Sequence, residues 1–260
     1  MLPRLILLTA LLLGSPHSLP AAEAPLPVGL RALLATYPQQ LCGARPDLLL
    51  WCDGTVMAWD DGKVKSLSER LEEADLEDQF ALPYPAGPDY PIPPPAGFDP
   101  GRSRHEPFFR KMYGADRSEV EKNLASVAWP FGTQPTRLQV TRTNGVDQRL
   151  RRIIDELQGL PTPLREILAE PAGGYFWRPI AGTSRLSLHS FGIAVDLGGR
   201  FADYWRWDAE KSGGSFPWRN RIPWEIVEIF ERHGFIWGGK WHHYDSMHFE
   251  YRPELLMALP

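Results

Sequence analysis

The stretch from Ser187 to Asp196, reading S-L-H-S-F-G-I-A-V-D, decides how this chain is to be understood, and D-S-M-H-F-E from Asp245 to Glu250 answers it near the C-terminus. His189 and Asp196 are an odd number of residues apart, so one regular strand would point them to opposite faces. Gly192 lies between them and permits a turn, after which Ile193, Ala194 and Val195 read as a short buried strand carrying Asp196 at its end. In the second stretch Met247, Phe249 and Tyr251 alternate with His248 and Glu250, a period of two that predicts a strand with an apolar and a polar face. Asp245 sits just before that strand, where a turn could fold its carboxylate back. A single buried His or Asp is ordinarily a hydrogen-bonded structural residue. Taken together, His189, Asp196 and His248 can supply three N/O ligands to a zinc ion while leaving a coordination position open. Asp245 can supply a neighbouring base.

On these residues the chain resembles the zinc peptidases of bacterial cell walls that include D-Ala-D-Ala carboxypeptidases and L-Ala-D-Glu endopeptidases. They share a metal-site architecture with lysostaphin and the Hedgehog signalling domain. The family pattern is S-x-H-x-x-G-x-A-x-D, then an acidic residue three before a final His; Ser187, His189, Gly192, Ala194, Asp196, Asp245 and His248 match it. The resemblance covers roughly Gln139 to the C-terminus. It implies zinc as cofactor, with His189, Asp196 and His248 as ligands and Asp245 as general base. Family members also place an arginine on the strand before the metal motif, to polarise the substrate carbonyl. Arg178 matches that context best, with Arg185 as its rival. Carboxypeptidases of this family usually carry E-x-W-H, whereas the endopeptidases more often have D-x-x-H-F-E, to which Asp245–Glu250 is similar. The resemblance therefore implies a peptidoglycan hydrolase of the L-Ala-D-Glu endopeptidase type acting on stem peptides. A D-alanyl-D-alanine carboxypeptidase, or a zinc-containing wall-binding domain of the Hedgehog kind, are the alternatives. His242 and His243 match no ligand position of the family.

The rest of the chain is read around this centre. Arg4 followed by an apolar run and then small residues up to Ala24 predicts a signal peptide over residues 1–24, too short to span a bilayer, with an uncleaved anchor as the alternative. It directs the chain to the cell envelope or beyond. A formal net charge of −4 gives no reason to expect a nucleic-acid partner, and no later stretch is long and apolar enough to cross a membrane. In that oxidising setting the two cysteines, Cys42 and Cys52, read as one disulfide closing a small hairpin with turns at Asp53-Gly54 and Asp61-Gly62. Eight prolines between Pro83 and Pro100 exclude helix and central strand and predict a stiff extended connector. The basic cluster beyond it, Arg102, Arg104, Arg110 and Lys111 around His105, reads as solvated surface.

From Arg137 onward a strand, a helix capped by Asn144 and closed by Gly159, a short helix over 163–170 and a strand Y-F-W-R-P-I carrying Arg178 are expected. The aromatic insertion after Asp196, with Tyr204, Trp205, Trp207 and Trp218, is expected either to line a cleft or to pack over the core. The chain divides accordingly: 1–24 signal peptide, 25–82 disulfide-closed subdomain, 83–101 Pro-rich connector, and 102–260 peptidase domain with its core at about 137–260. The expected fold is α+β, a small antiparallel sheet carrying the ligands with helices packed on one face, plus an irregular N-terminal extension.

Overall fold

In the computed structural model, which describes residues 25–132, 134, 136–169 and 173–258, the first element is helix α1 (Val28–Thr36). The signal-peptide reading falls on residues outside those described. Strands β1 (Leu41–Arg45), β2 (Leu48–Trp51) and β3 (Val56–Ala58) follow as an antiparallel meander. The Cys42–Cys52 disulfide expected from the spacing is present and ties β1 to the end of β2. Helix α2 (Leu67–Glu72) starts at a capping box in which Ser66 and Glu69 satisfy each other's backbone N–H groups.

The Pro-rich connector then crosses to the C-terminal half, where Lys240 anchors it. The Lys240 ammonium is fully buried and donates to the carbonyls of Pro85 and Gly87 and to Glu231 at 2.6–2.7 Å. The Tyr84, Tyr90 and Trp224 rings surround it at 4.9–5.0 Å.

Helices α3 (Glu106–Tyr113) and α4 (Arg117–Lys122) lead into the hairpin of β4 (Leu124–Trp129) and β5 (Thr136–Thr141). Helix α5 (Val146–Gln158) buries Val146, Leu150, Ile153, Ile154 and Leu157, the apolar stripe that its helical spacing predicts. Its cap differs from expectation. Gly145, in the left-handed region at φ 70°, is the N-cap, and the Asn144 side chain donates instead to the Tyr113 hydroxyl. Helix α6 (Thr162–Leu168) follows.

The third sheet has the order β6-β8-β7, built from β6 (Ala194–Asp196), β7 (Phe235–Trp237) and β8 (His248–Tyr251), all antiparallel. Between β6 and β7 come α7 (Trp205–Lys211) and α8 (Trp224–Arg232); α9 (Pro253–Met257) ends the described chain. The fold is α+β, with nine helices among the described residues. One buried apolar cluster runs from Leu30, Leu33 and Trp51 through Phe108 and Ile153 to Phe230 and Phe249, so the N-terminal segment and the site-bearing sheet share a core. None of the helices is long and apolar enough to cross a membrane.

Candidate metal centre

Two short segments of backbone position the first motif. Leu188–Phe191 forms a 3₁₀ turn, and Gly192 leaves it at φ 68°. A Cβ there would lie 2.9 Å from both Leu124 Cδ2 and the Thr141 nitrogen, so the position needs glycine for space as well as for conformation. The chain then enters β6, where Asp196 pairs directly with His248 of the central strand β8. Directly opposed residues project to the same face, which puts the Asp196 carboxylate beside the His248 ring. The sheet thus carries two of the three predicted ligands, and His189 reaches them from the 3₁₀ turn.

One donor atom from each of His189, Asp196 and His248 can be chosen so that all lie within 4.8 Å of one another. His189 Nε2 is 3.1 Å from Asp196 Oδ2, and His248 Nδ1 is 2.9 Å from Asp196 Oδ1. His189 Nδ1 lies 2.7 Å from the Gly174 carbonyl. A carbonyl can only accept, so Nδ1 carries the proton and Nε2 presents its lone pair. That Nε2 is buried and, despite its approach to Asp196, has no hydrogen-bond partner of acceptable geometry. Three N/O donors converging on one point, one of them an unsatisfied imidazole nitrogen with a fixed tautomer, suit a zinc ion.

The support of His248 is equally specific. Its Nε2 faces Glu250 Oε2 at 3.3 Å, and Glu250 in turn accepts from Arg104 Nη2 at 2.6 Å. The expected polar face of β8 is therefore not solvated: His248 and Glu250 are both buried, because Arg104 covers them. Burial alone would lower the His248 pKa, but the hydrogen bonds to Asp196 and Glu250 raise it. Burial likewise favours the protonated form of Asp196, and the two histidines outweigh it and hold that carboxyl well below the usual range.

Asp245 lies in the turn before β8, as expected. Its N–H donates to the Gly238 carbonyl, and its own carbonyl accepts from the His248 N–H. Its Oδ1 is buried with no hydrogen-bond partner. Burial pushes the carboxyl up to about 6, against the pull of His248. A carboxylate in that range can exchange a proton near neutral pH.

These side chains open onto a cleft of about 260 Å³, shared with Arg102, Arg178, Tyr204 and Trp207. Arg178 is not on a strand. Tyr175–Ile180 forms no regular strand: its Pro179 bridges Leu186, and the Tyr175 and Phe176 N–H groups donate to the carbonyls of Gln139 and His189, while Pro179 itself has no N–H to extend a ladder. The motif itself holds the Arg178 backbone: its N–H donates to Ser190 Oγ, and its carbonyl accepts from the Ser187 N–H. Arg185, the rival, is held by Glu72 at 3.1 Å and does not line this cleft. The aromatic insertion divides between the two expected roles. Tyr204 and Trp207 line the cleft, whereas Trp205 packs on His243 and Phe216, and Trp218 donates to the Gly239 carbonyl.

His243 hydrogen-bonds Asp99 through both its backbone N–H and Nδ1, at 2.8 and 2.7 Å. His242 and His243 thus belong to an aromatic cluster with Phe216 beside the cleft rather than to the three converging donors. A larger cavity of about 420 Å³ lies beside α1; its Asp75 and Asp78 are already paired with Lys65 at 2.7 and 2.8 Å.

The basic cluster did not stay on the surface as expected. Arg110 and Lys111 form surface pairs with Glu106 and Asp53, but Arg102 and Arg104 enter the cleft. They flank Ser103, which lies in a bend, so no regular strand or helix relates them.

A family model described as D-alanyl-D-alanine carboxypeptidase matches residues 181–251. The resemblance drawn from the two motifs is borne out over that stretch, which holds His189, Asp196, Asp245 and His248 and excludes Arg102, Arg104 and Arg178. At the level of the family it is similar to zinc peptidases that act on peptidoglycan. No curated protein and no solved structure matches the chain.

Proposed function

We propose that the chain is a zinc-dependent peptidase that cleaves peptidoglycan stem peptides in the cell envelope, with His189, Asp196 and His248 holding the metal. The convergence of those three donors beside Asp245 and Arg178 in one cleft carries this reading. Zinc, when bound, supplies Lewis acidity, which makes water a nucleophile at neutral pH and polarises a carbonyl. Asp245, unpaired and poised near neutrality, takes the proton from the attacking water and returns it to the leaving nitrogen. Arg178, with its backbone fixed by Ser187 and Ser190, offers guanidinium N–H groups to the carbonyl oxygen as negative charge develops there. Glu250 accepts from His248 Nε2 and so orients the ring with Nδ1 beside Asp196, where the two would hold the metal.

The sequence D-S-M-H-F-E favours cleavage between L-Ala and D-Glu. The description of the matching family favours removal of a terminal D-Ala as the second reading. Mass spectrometry of purified muropeptides incubated with the zinc-loaded protein separates them. New L-Ala ends are expected. Loss of a terminal D-Ala would establish the carboxypeptidase instead, and intact muropeptides would leave a wall-binding domain.

A further inference from the structure

The cleft holds more positive charge than the reaction requires, and its arginines are not equivalent. Arg104 is committed to Glu250 at 2.6 Å. Arg102 and Arg178 have no carboxylate within ion-pairing distance among the described residues, although both line the cleft. Arg178 is used at the carbonyl in the reading above, which leaves Arg102. Its guanidinium stacks over the Trp241 ring at 5.1 Å and spends one N–H on the His243 carbonyl, at 2.8 Å. His243 is itself fastened by the buried Asp99. Stacked on one face and anchored at one nitrogen, the fork is held in place before any ligand arrives, and its remaining donors are open to the cleft. Such a preorganised guanidinium matches a carboxylate in bidentate geometry.

Its place relative to the reaction follows from Asp245. A group that returns a proton to the leaving nitrogen must stand beside that nitrogen. Arg102 lines the same cleft as Asp245, and its Nη1 donates to the carbonyl of His243, two residues before Asp245. We propose that Arg102 binds a free carboxylate on the substrate carbon bonded to the leaving nitrogen. This rests on the peptidase reading and narrows its substrate class. A γ-linked D-Glu and a C-terminal D-Ala both carry a free carboxylate on that carbon, whereas an interior residue of an ordinary polypeptide carries an amide there. Arg102 therefore admits either stem-peptide bond and disfavours proteins. It lies outside the stretch matched by the family, on the segment that the Pro-rich connector delivers.

The test uses the full-length zinc-loaded protein and two pairs of synthetic peptides. One pair is L-Ala-γ-D-Glu stem peptide with its α-carboxylate free or converted to the carboxamide. The other is an acyl-D-Ala-D-Ala peptide and its C-terminal amide. Whichever pair is cut identifies the source of the carboxylate, and within it the acid should exceed the amide in kcat/KM. Arg102→Gln should lower kcat/KM on the acid by about 10- to 100-fold and bring the acid-to-amide ratio toward one. Arg102→Lys, which keeps the charge but not the fork, should retain part of the ratio. Because the ratio does not depend on how much of a preparation is folded, a merely structural role would lower both rates and leave it unchanged. That outcome overturns the proposal, as does a wild type indifferent to amidation. If the wild type cuts none of the four peptides, the peptidase reading fails. Calorimetric binding of the same pairs then decides the subsite: an acid preference abolished by Arg102→Gln upholds it, and equal binding of acid and amide overturns it.

Discussion

Replacing Asp245 with Asn should make the metal-free protein more stable and the zinc-loaded protein nearly inactive. The carboxyl is displaced from its ordinary 3.8 to about 6, chiefly by burial. A group whose folded pKa lies above its unfolded one costs stability when it ionises. That cost is absent below the unfolded pKa, grows as pH rises from about 4 to 6 and is then constant. The displacement corresponds to about 3 kcal/mol at most, and the group's partial exposure discounts this to about 1–3 kcal/mol. Asn resembles the protonated acid in size and charge and escapes the penalty. Chelated Asp245→Asn should thus melt roughly 3–10 °C above chelated wild type at pH 7, with the gap closing toward pH 4. Turnover should move the other way, with kcat down about 10²–10⁴, since the amide cannot take a proton at neutral pH. Paired thermal melts across pH, zinc analysis and kcat on one preparation give all the readouts. Zinc loss in the variant would make Asp245 a ligand. Near-normal kcat with full zinc would remove it from the mechanism and move suspicion to Glu250 or His243. A variant melting no higher than wild type at pH 7 would contradict the buried-carboxylate account.

Lys240→Met should lower stability by about 3–5 kcal/mol in urea titration, because it strands a buried carboxylate and two carbonyls, although Glu231 keeps its bonds from the Tyr84 hydroxyl and the Gly87 N–H. A loss under 1 kcal/mol would show that water replaces the ammonium. Glu250→Gln should weaken zinc binding about 10- to 100-fold in competition with a chelator, since it loosens the orientation of His248; unchanged affinity would limit Glu250 to pairing Arg104. Removing the Cys42–Cys52 disulfide by Cys→Ser at both positions should cost about 2–3 kcal/mol for so short a loop, read from the shift in denaturation midpoint.

What could be read from the sequence was what the chain encodes locally. Gly192 declared its turn, Met247, Phe249 and Tyr251 declared their strand, and the two motifs brought four polar residues to one place. The stripe of α5 and the disulfide followed from spacing in the same way. Three local readings failed, two of them because tertiary partners outweighed local chemistry and one because of a proline. Asn144 gave up its cap to reach Tyr113, the Arg178 segment could not join a ladder through Pro179, and β8 buried its polar face under Arg104. The role of Arg102 and Arg104 was invisible for a plainer reason. Nothing in R-S-R says where a connector of eight prolines will set it down, and that depends on Lys240, far along the chain.

That dependence bears on what the N-terminal segment does. The matched stretch contains the three candidate ligands, yet much of their support lies outside it. Behind His248 stands Glu250, with Arg252 Nη1 3.7 Å from its Oε1. Arg252 also pairs with Glu254, whose other oxygen accepts from the Tyr37 hydroxyl at 2.7 Å. Glu250, Arg252 and Glu254 are all fully buried. A buried charge is tolerated only while its partners stay in place. Tyr37 follows α1, and α1 packs on α9, so this helix closes the end of a charge chain that begins at a candidate ligand. Arg104 approaches the same Glu250 from the other side, again from outside the match. Residues 181–251 alone would leave Glu250 without either arginine and would uncover Phe191, against which Phe109 packs. Residues 25–104 are therefore better understood as the far wall of the candidate metal centre than as an appendage to it.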